Sequence, residues 1–302
     1  MEVLLLRALG AVARALPFEV AGDLGAALGA AAFFLLGRRR RIAIDNVTRA
    51  LGPTPGGLGA ETVARRAFVQ LGRTFVEFLA LPAQRREDLL ARIEFAGFEP
   101  FRERALAGRG AVMVTGHFGN WELLGMFGGL GVAPVKYLLP RQTNPGSDEY
   151  LNEVRRRVGV EPITIGKGMR AGVRAIQEGA FLGMLPDQDA RRAGIHVPFF
   201  GRPASTHTGP ARIAIAANVP IGVAVIERSG RGRFRARVVR VLTPDPSGDK
   251  KAEVRRLTEG ITRALEEAIR GRPDHWYWIH RRWKTPPPEE EAPATLTGAV
   301  TT

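Results

Sequence analysis

From residue 111 onward, short apolar runs alternate with stretches whose apolar residues recur every three or four positions. The runs have the length and composition of buried strands: AVMVTG (111–116), VAPVKYLL (132–139), EPITIG (161–166) and FLGML (181–185). The stretches between them read as helices: WELLGMF (121–127), SDEYLNEVRRRVG (147–159) and MRAGVRAIQEG (169–179). This alternation predicts a single α/β domain with a mostly parallel central sheet covered by helices.

The rest of the chain divides into regions of different pattern. Residues 42–95 show helical periodicity, 220–230 and 233–244 read as paired strands around a Gly turn, and 249–270 reads as one long helix. The final residues, 285–302, are rich in Pro and Glu without apolar periodicity and are predicted to be a disordered tail. We therefore expect an N-terminal segment over 1–41, a folded domain over 42–284 and the tail.

The N-terminal segment combines an apolar stretch with a basic cluster. Residues 24–37, LGAALGAAAFFLLG, carry no charge, and Arg38 to Arg41 follow directly. A helix of that length measures about 21 Å, short of the roughly 30 Å hydrocarbon core of a bilayer. The pattern favours a shallow or monotopic membrane anchor with the arginines at anionic headgroups. A tilted single span with its basic end in the cytoplasm, or a buried core helix, fits the same residues.

Composition excludes some chemistry and leaves other chemistry open. The 302 residues contain no cysteine, which rules out disulfides, thiolate metal sites and cysteine nucleophiles. The 44 Lys and Arg against 30 Asp and Glu give a net charge of +14, a field that attracts phosphates of lipids, substrates or nucleic acid, and acidic proteins equally. No nucleic-acid-binding motif accompanies that charge, so we expect no nucleic-acid partner.

The sextet HFGNWE (117–122) places polar groups between two apolar runs. His117 follows a predicted strand, where ligands collect in open α/β sheets, and Asn120 can cap the helix that opens at Trp121. Glu122 in the first helical turn could then hold one imidazole nitrogen, leaving the other to accept a proton from a hydroxyl. The alternative is a locally satisfied His beside a Glu on a solvated helix face.

Three other stretches carry candidate groups. Asp187 follows the predicted strand 181–185, either in a site or capping a turn. Thr206 lies in STHTGPARIA, before a predicted helix that begins with Pro, and could either bind a phosphate or act as an ordinary helix cap. HWYWIHRRWK (275–284) suits packing at the sheet edge more than an interfacial belt. No second His or carboxylate stands at metal-ligand spacing near His117, so we expect no metal site.

HFGNWE resembles the His-x4-Asp/Glu motif of the glycerolipid and lysophospholipid acyltransferase superfamily. More narrowly, the chain resembles the lipid A biosynthesis acyltransferases, the late lauroyl and myristoyl transferases. The resemblance covers most of residues 15–284, and its motifs stand in order: RRRRIAIDNV, RTFVEF, GHFGNWE, LPDQDARRAG, VPFFGRPASTHTGPARIA and HWYWIHRRWK. The ordered set is far more specific than a lone His-x4-Glu.

The resemblance implies acyl transfer from an acyl carrier protein thioester to a hydroxyl of a phosphorylated glycolipid, a lipid A precursor. The expected location is the cytoplasmic face of the inner membrane. His117 would be the general base, oriented by Glu122, and the hydroxyl would attack the thioester directly without a cofactor. Asp187 would organise the pocket. Substrate-binding arginines would be Arg141, Arg155 and Arg156, of which the last two are not separable by eye.

Two rival functions remain at this point. The same chemistry could act on a phosphatidylinositol mannoside or a lysophospholipid, with acyl-coenzyme A as donor, although Glu rather than Asp at the end of the motif favours the lipid A branch. A non-catalytic basic module would instead bind membranes or nucleic acid. Its binding would weaken steeply with rising salt and would not depend on His117.

Overall fold

Four long helices precede the first strand in the computed structural model, which describes residues 1–52, 59–127, 133–164 and 168–288. They are α1 (Glu2–Ala15), α2 (Phe18–Leu35), α3 (Gly37–Leu51) and α4 (Ala60–Ala80). The predicted tail lies, from residue 289 on, outside the described residues.

Strands and helices alternate through the rest of the chain. The strands are β1 (Ile93–Ala96), β2 (Ala111–Val114), β3 (Val135–Leu139), β4 (Val160–Thr164), β5 (Phe181–Met184), β6 (Ile195–Phe199), β7 (Arg202–Thr206), β8 (Ile221–Gly230) and β9 (Arg233–Leu242). The helices are α5 (Arg86–Leu90), α6 (Glu99–Leu106), α7 (Trp121–Phe127), α8 (Pro145–Arg157), α9 (Gly168–Gln177), α10 (Gly209–Ala217) and α11 (Lys250–Gly271).

The central sheet has seven strands in the order β1-β9-β8-β2-β5-β3-β4. The five strands from β8 to β4 run parallel to one another, β9 runs antiparallel to β8, and β1 is parallel to β9. Apolar clusters with helical members pack on both faces of the sheet. The mostly parallel, helix-covered α/β fold predicted from the alternating pattern is therefore confirmed, as is the pairing of β8 with β9.

The middle of this sheet determines where a site can form. β2 and β5 are neighbours in parallel register, Ala111 opposite Phe181 and Val114 opposite Met184. All of their residues are buried, which explains why each reads as an unbroken apolar run. Because the two strands end at the same level, the residues that follow them meet at one edge.

Two regions differ from the sequence prediction. Residues 42–95 are not helical throughout, because Ile93–Ala96 forms β1 and pairs with β9 some 140 residues later. β6 and β7 form a separate antiparallel hairpin that no pattern predicted. Both cases involve strands of four or five residues, too short for their periodicity to separate them from neighbouring loops.

α2 confirms the predicted apolar N-terminal helix and begins earlier than expected, at Phe18. It is the only helix in the described ranges long and apolar enough to cross a membrane, and a third of it is buried. Glycines make that burial possible: a Cβ on Gly72 of α4 would overlap the carbonyl oxygen of Gly25 in α2, so the two backbones touch. Its other side, together with α1, exposes large apolar side chains, among them Leu4, Leu5, Leu28, Phe34 and Leu35.

Candidate active site

His117 and Asp187 form a hydrogen-bonded pair at the carboxyl ends of β2 and β5. Each residue stands three positions beyond the last residue of its strand, and the parallel register brings them level. His117 Nδ1 lies 2.7 Å from Asp187 Oδ1, and the backbone N–H of His117 donates to Asp187 Oδ2, also at 2.7 Å. Asp187 therefore orients the imidazole through two contacts.

Asp187 is buried yet ionised. Its side chain is 2% exposed, and the indole Nε1 of Trp276 donates to Oδ2 at 2.9 Å. Burial alone would raise the pKa of Asp187, but the adjacent His117 charge and the hydrogen bonds from His117 and Trp276 outweigh it and lower the pKa to about 2. In the neutral imidazole, an ionised acceptor at Nδ1 keeps the proton on that nitrogen and leaves a lone pair on Nε2.

The Nε2 side of His117 faces a partly open space. The side chain is 22% exposed, and its ring lies between Trp121 and Tyr277, with centroid distances of 5.2 and 5.6 Å. The amide nitrogen of Gln188 is 3.4 Å from Nε2, a long contact that a substrate hydroxyl could replace. The imidazole is held on one side and accessible on the other, as a general base requires.

The loop that carries His117 is tied to α4 and to the segment after α11. Gly119 has a φ of +58°, and a Cβ there would overlap the carbonyl oxygen of Ile226, so only glycine fits. The hydroxyl of Thr74 donates to the Gly119 carbonyl at 2.8 Å. The backbone N–H of Gly119 donates to the His275 carbonyl, and that of Tyr277 donates to the His117 carbonyl.

Asn120 caps α7, as predicted from the sequence, because its side-chain oxygen accepts from the Leu123 backbone N–H at 3.0 Å. Its Nδ2 donates to Glu77 Oε2 at 2.7 Å. Burial raises the pKa of Glu77, against the opposing charge and hydrogen bond of Arg228, which donates to the same oxygen at 2.7 Å. The buried hydrogen-bonded cluster of Asn120, Glu77 and Arg228 thus holds the loop in place.

The predicted contact between Glu122 and His117 is wrong. Glu122 is 8% exposed and accepts two hydrogen bonds from Arg155, at 3.1 and 2.6 Å. Arg155 bridges onward to Asn152 on its own helix, so the pair joins α7 to α8. The physical reason is the direction of the carboxylate: the first turn of α7 points it toward α8, while Asp187 takes the position beside the imidazole.

The three predicted substrate-binding arginines occupy different environments. Arg155 is buried against Glu122, whereas Arg156 is solvent-facing and pairs with Glu149. Arg141 follows β3, a strand parallel to β2 and β5, and is exposed with no ion pair in the described part of the chain. Of the three, only Arg141 combines an uncommitted guanidinium with a place at the edge where His117 lies.

Thr206 is committed inside the protein. It is 2% exposed, its hydroxyl donates to the Ala204 carbonyl at 2.9 Å, and it accepts from Arg282 Nη2 at 2.6 Å. Arg282 is itself buried over the ring of Phe199, and burial lowers its pKa to about 10. These contacts hold the Thr206 side chain inside the protein, and its predicted phosphate contact has no support in this geometry.

Several residues that shape the site had no assigned role from the sequence. Trp276, Tyr277 and Gln188 contact the pair directly, while Thr74 and Glu77 hold the loop. Most of these residues lie in two motifs that the sequence shows, RTFVEF and HWYWIHRRWK, but only the tertiary structure shows which residues they contact. Packing of the second motif is confirmed, since Trp276 and Trp278 are buried and their rings lie 4.6 Å apart. In the described ranges no group of three or more His, Asp or Glu is placed to hold a metal ion.

Comparison with known proteins adds independent information. A family model described as bacterial lipid A biosynthesis acyltransferase matches residues 2–285. The lipid A biosynthesis palmitoleoyltransferase of Escherichia coli is 25% identical over 281 residues, covering 92% of this chain and 89% of that protein. The E. coli lauroyltransferase is 24% identical over 277 residues, covering 90% and 88%. The phosphatidylinositol mannoside acyltransferase of Mycobacterium tuberculosis is 24% identical over 248 residues, covering 79% and 75%.

Proposed function

The chain belongs to the bacterial lipid A biosynthesis acyltransferase family, and we propose that it transfers a fatty acyl chain from an acyl carrier protein thioester to a hydroxyl of a lipid A precursor. The observation that carries the mechanism is the pairing of His117 Nδ1 with buried, ionised Asp187 while Nε2 stays accessible. That arrangement suits a base that acts on a hydroxyl of an incoming substrate.

In the first step, Nε2 of His117 takes the proton of the acceptor hydroxyl as its oxygen attacks the thioester carbonyl carbon. Asp187 stabilises the imidazolium that forms, as a carboxylate beside Nδ1 does in hydrolase triads. The acceptor hydroxyl attacks the thioester directly, a route that needs no covalent acyl-enzyme and agrees with the absence of cysteine. A positioned base of this kind contributes about 10²- to 10⁴-fold to the rate.

In the second step, the tetrahedral intermediate expels the thiolate as the carbon–sulfur bond breaks. The proton held on Nε2 passes to the departing sulfur, so the products are the ester and a free thiol, and His117 returns to its neutral form. Arg141, uncommitted at the same sheet edge, supplies positive charge for the oxyanion or for a substrate phosphate.

The surface around α1 and α2 supports a role at a membrane. α2 is long enough to cross one, but its glycine-mediated packing on α4 favours a shallow, monotopic attachment through the exposed apolar side chains. The cytoplasmic face of the inner membrane is the compartment in which an acyl carrier protein and a lipid precursor would meet the site.

A second acceptor class has an observation of its own. The M. tuberculosis relative is named for acting on phosphatidylinositol mannoside, and its identity to this chain equals that of the lauroyltransferase. A phosphatidylinositol mannoside or a lysophospholipid, with acyl-coenzyme A as donor, is therefore the alternative reaction. A non-catalytic binding module is disfavoured, since such a module has no use for an oriented, accessible base.

The test is mass spectrometry of a lipid A precursor incubated with pure protein and a mixed pool of acyl carrier protein thioesters. We expect a mass gain of one acyl chain. His117→Ala should lose at least about 10²-fold of the rate. His196→Ala, which removes a histidine from β6, is the matched control and should keep it.

Full activity of His117→Ala would contradict the mechanism. No product from the lipid A precursor with any donor, but product from phosphatidylinositol mannoside with acyl-coenzyme A, would replace the acceptor and the donor while leaving the base in place.

A further inference from the structure

A basic cleft lies between α3 and the segment that ends the described chain. Its volume is about 450 Å³, within the range of small-molecule sites. Its lining includes six cationic side chains: Arg38, Arg41, Arg49, Arg202, Arg281 and Lys284. The lining includes one carboxylate, Asp45, so positive charge dominates the interior.

Most of that charge has no partner within the described residues. Asp45 is engaged by Arg49 at 2.6 Å. Arg38, Arg41, Arg281 and Lys284 form no ion pair in the described part of the chain, and Arg202 lies over the ring of Trp283. Cations gathered in a concave space repel one another, and an anion with several acceptor oxygens relieves that repulsion.

The walls of the cleft are held together by the protein. Asn46, 6% exposed at the lining of the cleft, donates through Nδ2 to the carbonyls of Trp278 and His280, both at 2.7 Å. Arg39 on the same helix donates to the carbonyl of Ile279 at 3.4 Å. α3 and the segment 278–284 therefore keep their spacing without a ligand, and the cleft is formed in advance.

Along the chain, the two walls of the cleft continue into a residue that contacts His117 and into the exposed apolar surface. Tyr277, one residue before the wall segment, has its ring 5.6 Å from that of His117. On the other side, α3 directly follows Phe34, Leu35 and Leu36, which are all exposed. A ligand that fits all three features carries a phosphate, an apolar tail and a hydroxyl.

We propose that this cleft binds a phosphate group of the acceptor lipid, an assignment that rests on the function proposed above for the identity of that lipid. A phosphate bound there would hold the glycolipid headgroup beside the segment that contacts His117. An acidic carrier protein fits less well, because the surface that a folded partner uses for binding is much larger than a cleft of about 450 Å³.

The test compares two double variants of equal charge in the full-length His117→Ala protein, without any acyl donor. Arg41→Gln with Arg281→Gln alters the cleft. Arg102→Gln with Arg263→Gln removes the same charge from exposed positions on α6 and α11. Binding is measured to phosphatidylcholine vesicles containing a bisphosphorylated glucosamine disaccharide lipid, the same lipid without its phosphates, or phosphatidylglycerol at matched charge.

We expect the cleft variant to bind the phosphorylated glycolipid vesicles at least about tenfold more weakly, with the control pair and the dephosphorylated lipid little affected. An equal loss on phosphatidylglycerol vesicles would overturn the proposal in favour of a general anionic surface contact. Binding of the same variants to acyl carrier protein without an acyl chain is measured in parallel. Unchanged lipid binding with lost binding of this carrier protein would overturn the proposal in favour of a protein partner.

Kinetics separates this proposal from the proposed reaction. In the active protein, the cleft variant should raise KM for the lipid and leave kcat unchanged. If the cleft variant turned over normally with an unchanged KM for the lipid, the phosphate-binding role of the cleft would be rejected and the proposed reaction would stand. If the active protein bound the phosphorylated lipid selectively but transferred no acyl chain, the proposed reaction would be rejected and the phosphate-binding role of the cleft would stand.

Discussion

At the scale of single residues, two carboxylates near His117 have different tasks. Asp187 is buried, ionised and bonded to the imidazole, whereas Glu122 neutralises Arg155 between α7 and α8. A carboxylate that orients a base affects the rate through the tautomer of the imidazole. A carboxylate that neutralises a buried arginine affects stability, because removing it leaves an uncompensated charge.

These different roles predict that one substitution lowers the reaction rate and a matched one lowers stability. Asp187→Asn should lower kcat by about 10²- to 10⁴-fold, since the Nδ1 proton loses its ionised acceptor. Glu122→Gln should lower the free energy of unfolding by about 3–5 kcal/mol while the surviving folded protein keeps most of its kcat. Urea unfolding and steady-state rates on the same preparations measure both quantities. A rate collapse in folded Glu122→Gln with an active Asp187→Asn would return the orienting role to Glu122.

At the scale of elements, the loop that carries His117 depends on close packing between the end of β2, strand β8 and the segment after α11. Gly119 sits against the Ile226 carbonyl of β8, and the loop backbone exchanges hydrogen bonds with His275 and Tyr277. The loop therefore has no room for a side chain at residue 119, and its position is set by elements more than a hundred residues away.

Gly119→Ala tests this packing against Gly52→Ala, a substitution at the same φ of +58°. Both variants need a positive φ from alanine, which costs about 1–3 kcal/mol. A Cβ at Gly52 meets nothing within 4 Å, while one at Gly119 overlaps backbone. We expect Gly119→Ala to unfold at lower denaturant, by a further 1–3 kcal/mol or so, and to lose activity. Equal effects of the two variants would show that the loop can move aside.

At the scale of the whole molecule, apolar and basic surfaces lie next to each other. α1 and α2 expose apolar side chains, and the first turn of α3 presents Arg38 to Arg41 immediately afterwards. This order combines the two contributions that hold a protein on an anionic bilayer, apolar insertion and charge attraction.

Membrane attachment through this surface predicts weaker vesicle binding for Phe34→Ser with Leu35→Ser, whose side chains are 62% and 80% exposed. Burial of one such side chain contributes about 1.5–3 kcal/mol when complete, so we expect at least about tenfold weaker partitioning. Leu106→Ser with Val241→Ser, exposed apolar residues on α6 and β9, is the control and should bind normally. Cosedimentation with anionic vesicles measures both, and equal losses would place the membrane contact elsewhere.

The sequence predicted the elements with long or strongly apolar patterns. β2 and β5 are buried on both faces, so they appear as continuous apolar runs between turn residues, and α11 has a long unbroken periodicity. It did not predict β1 or the β6–β7 hairpin, because strands of four or five residues carry too little pattern and depend on their partners.

The candidate site divides in the same way. The position of His117 after a buried strand and the Asn120 cap follow from local spacing, and both could be read directly from residues 111–122. The partner of His117 could not, because Asp187 lies 70 residues further along and becomes adjacent only through the parallel pairing of β2 with β5. Sequence by itself determined the α/β class, the family resemblance and the candidate base. The tertiary structure alone decided which carboxylate faces that base, because strand register sets distances that spacing along the chain does not contain.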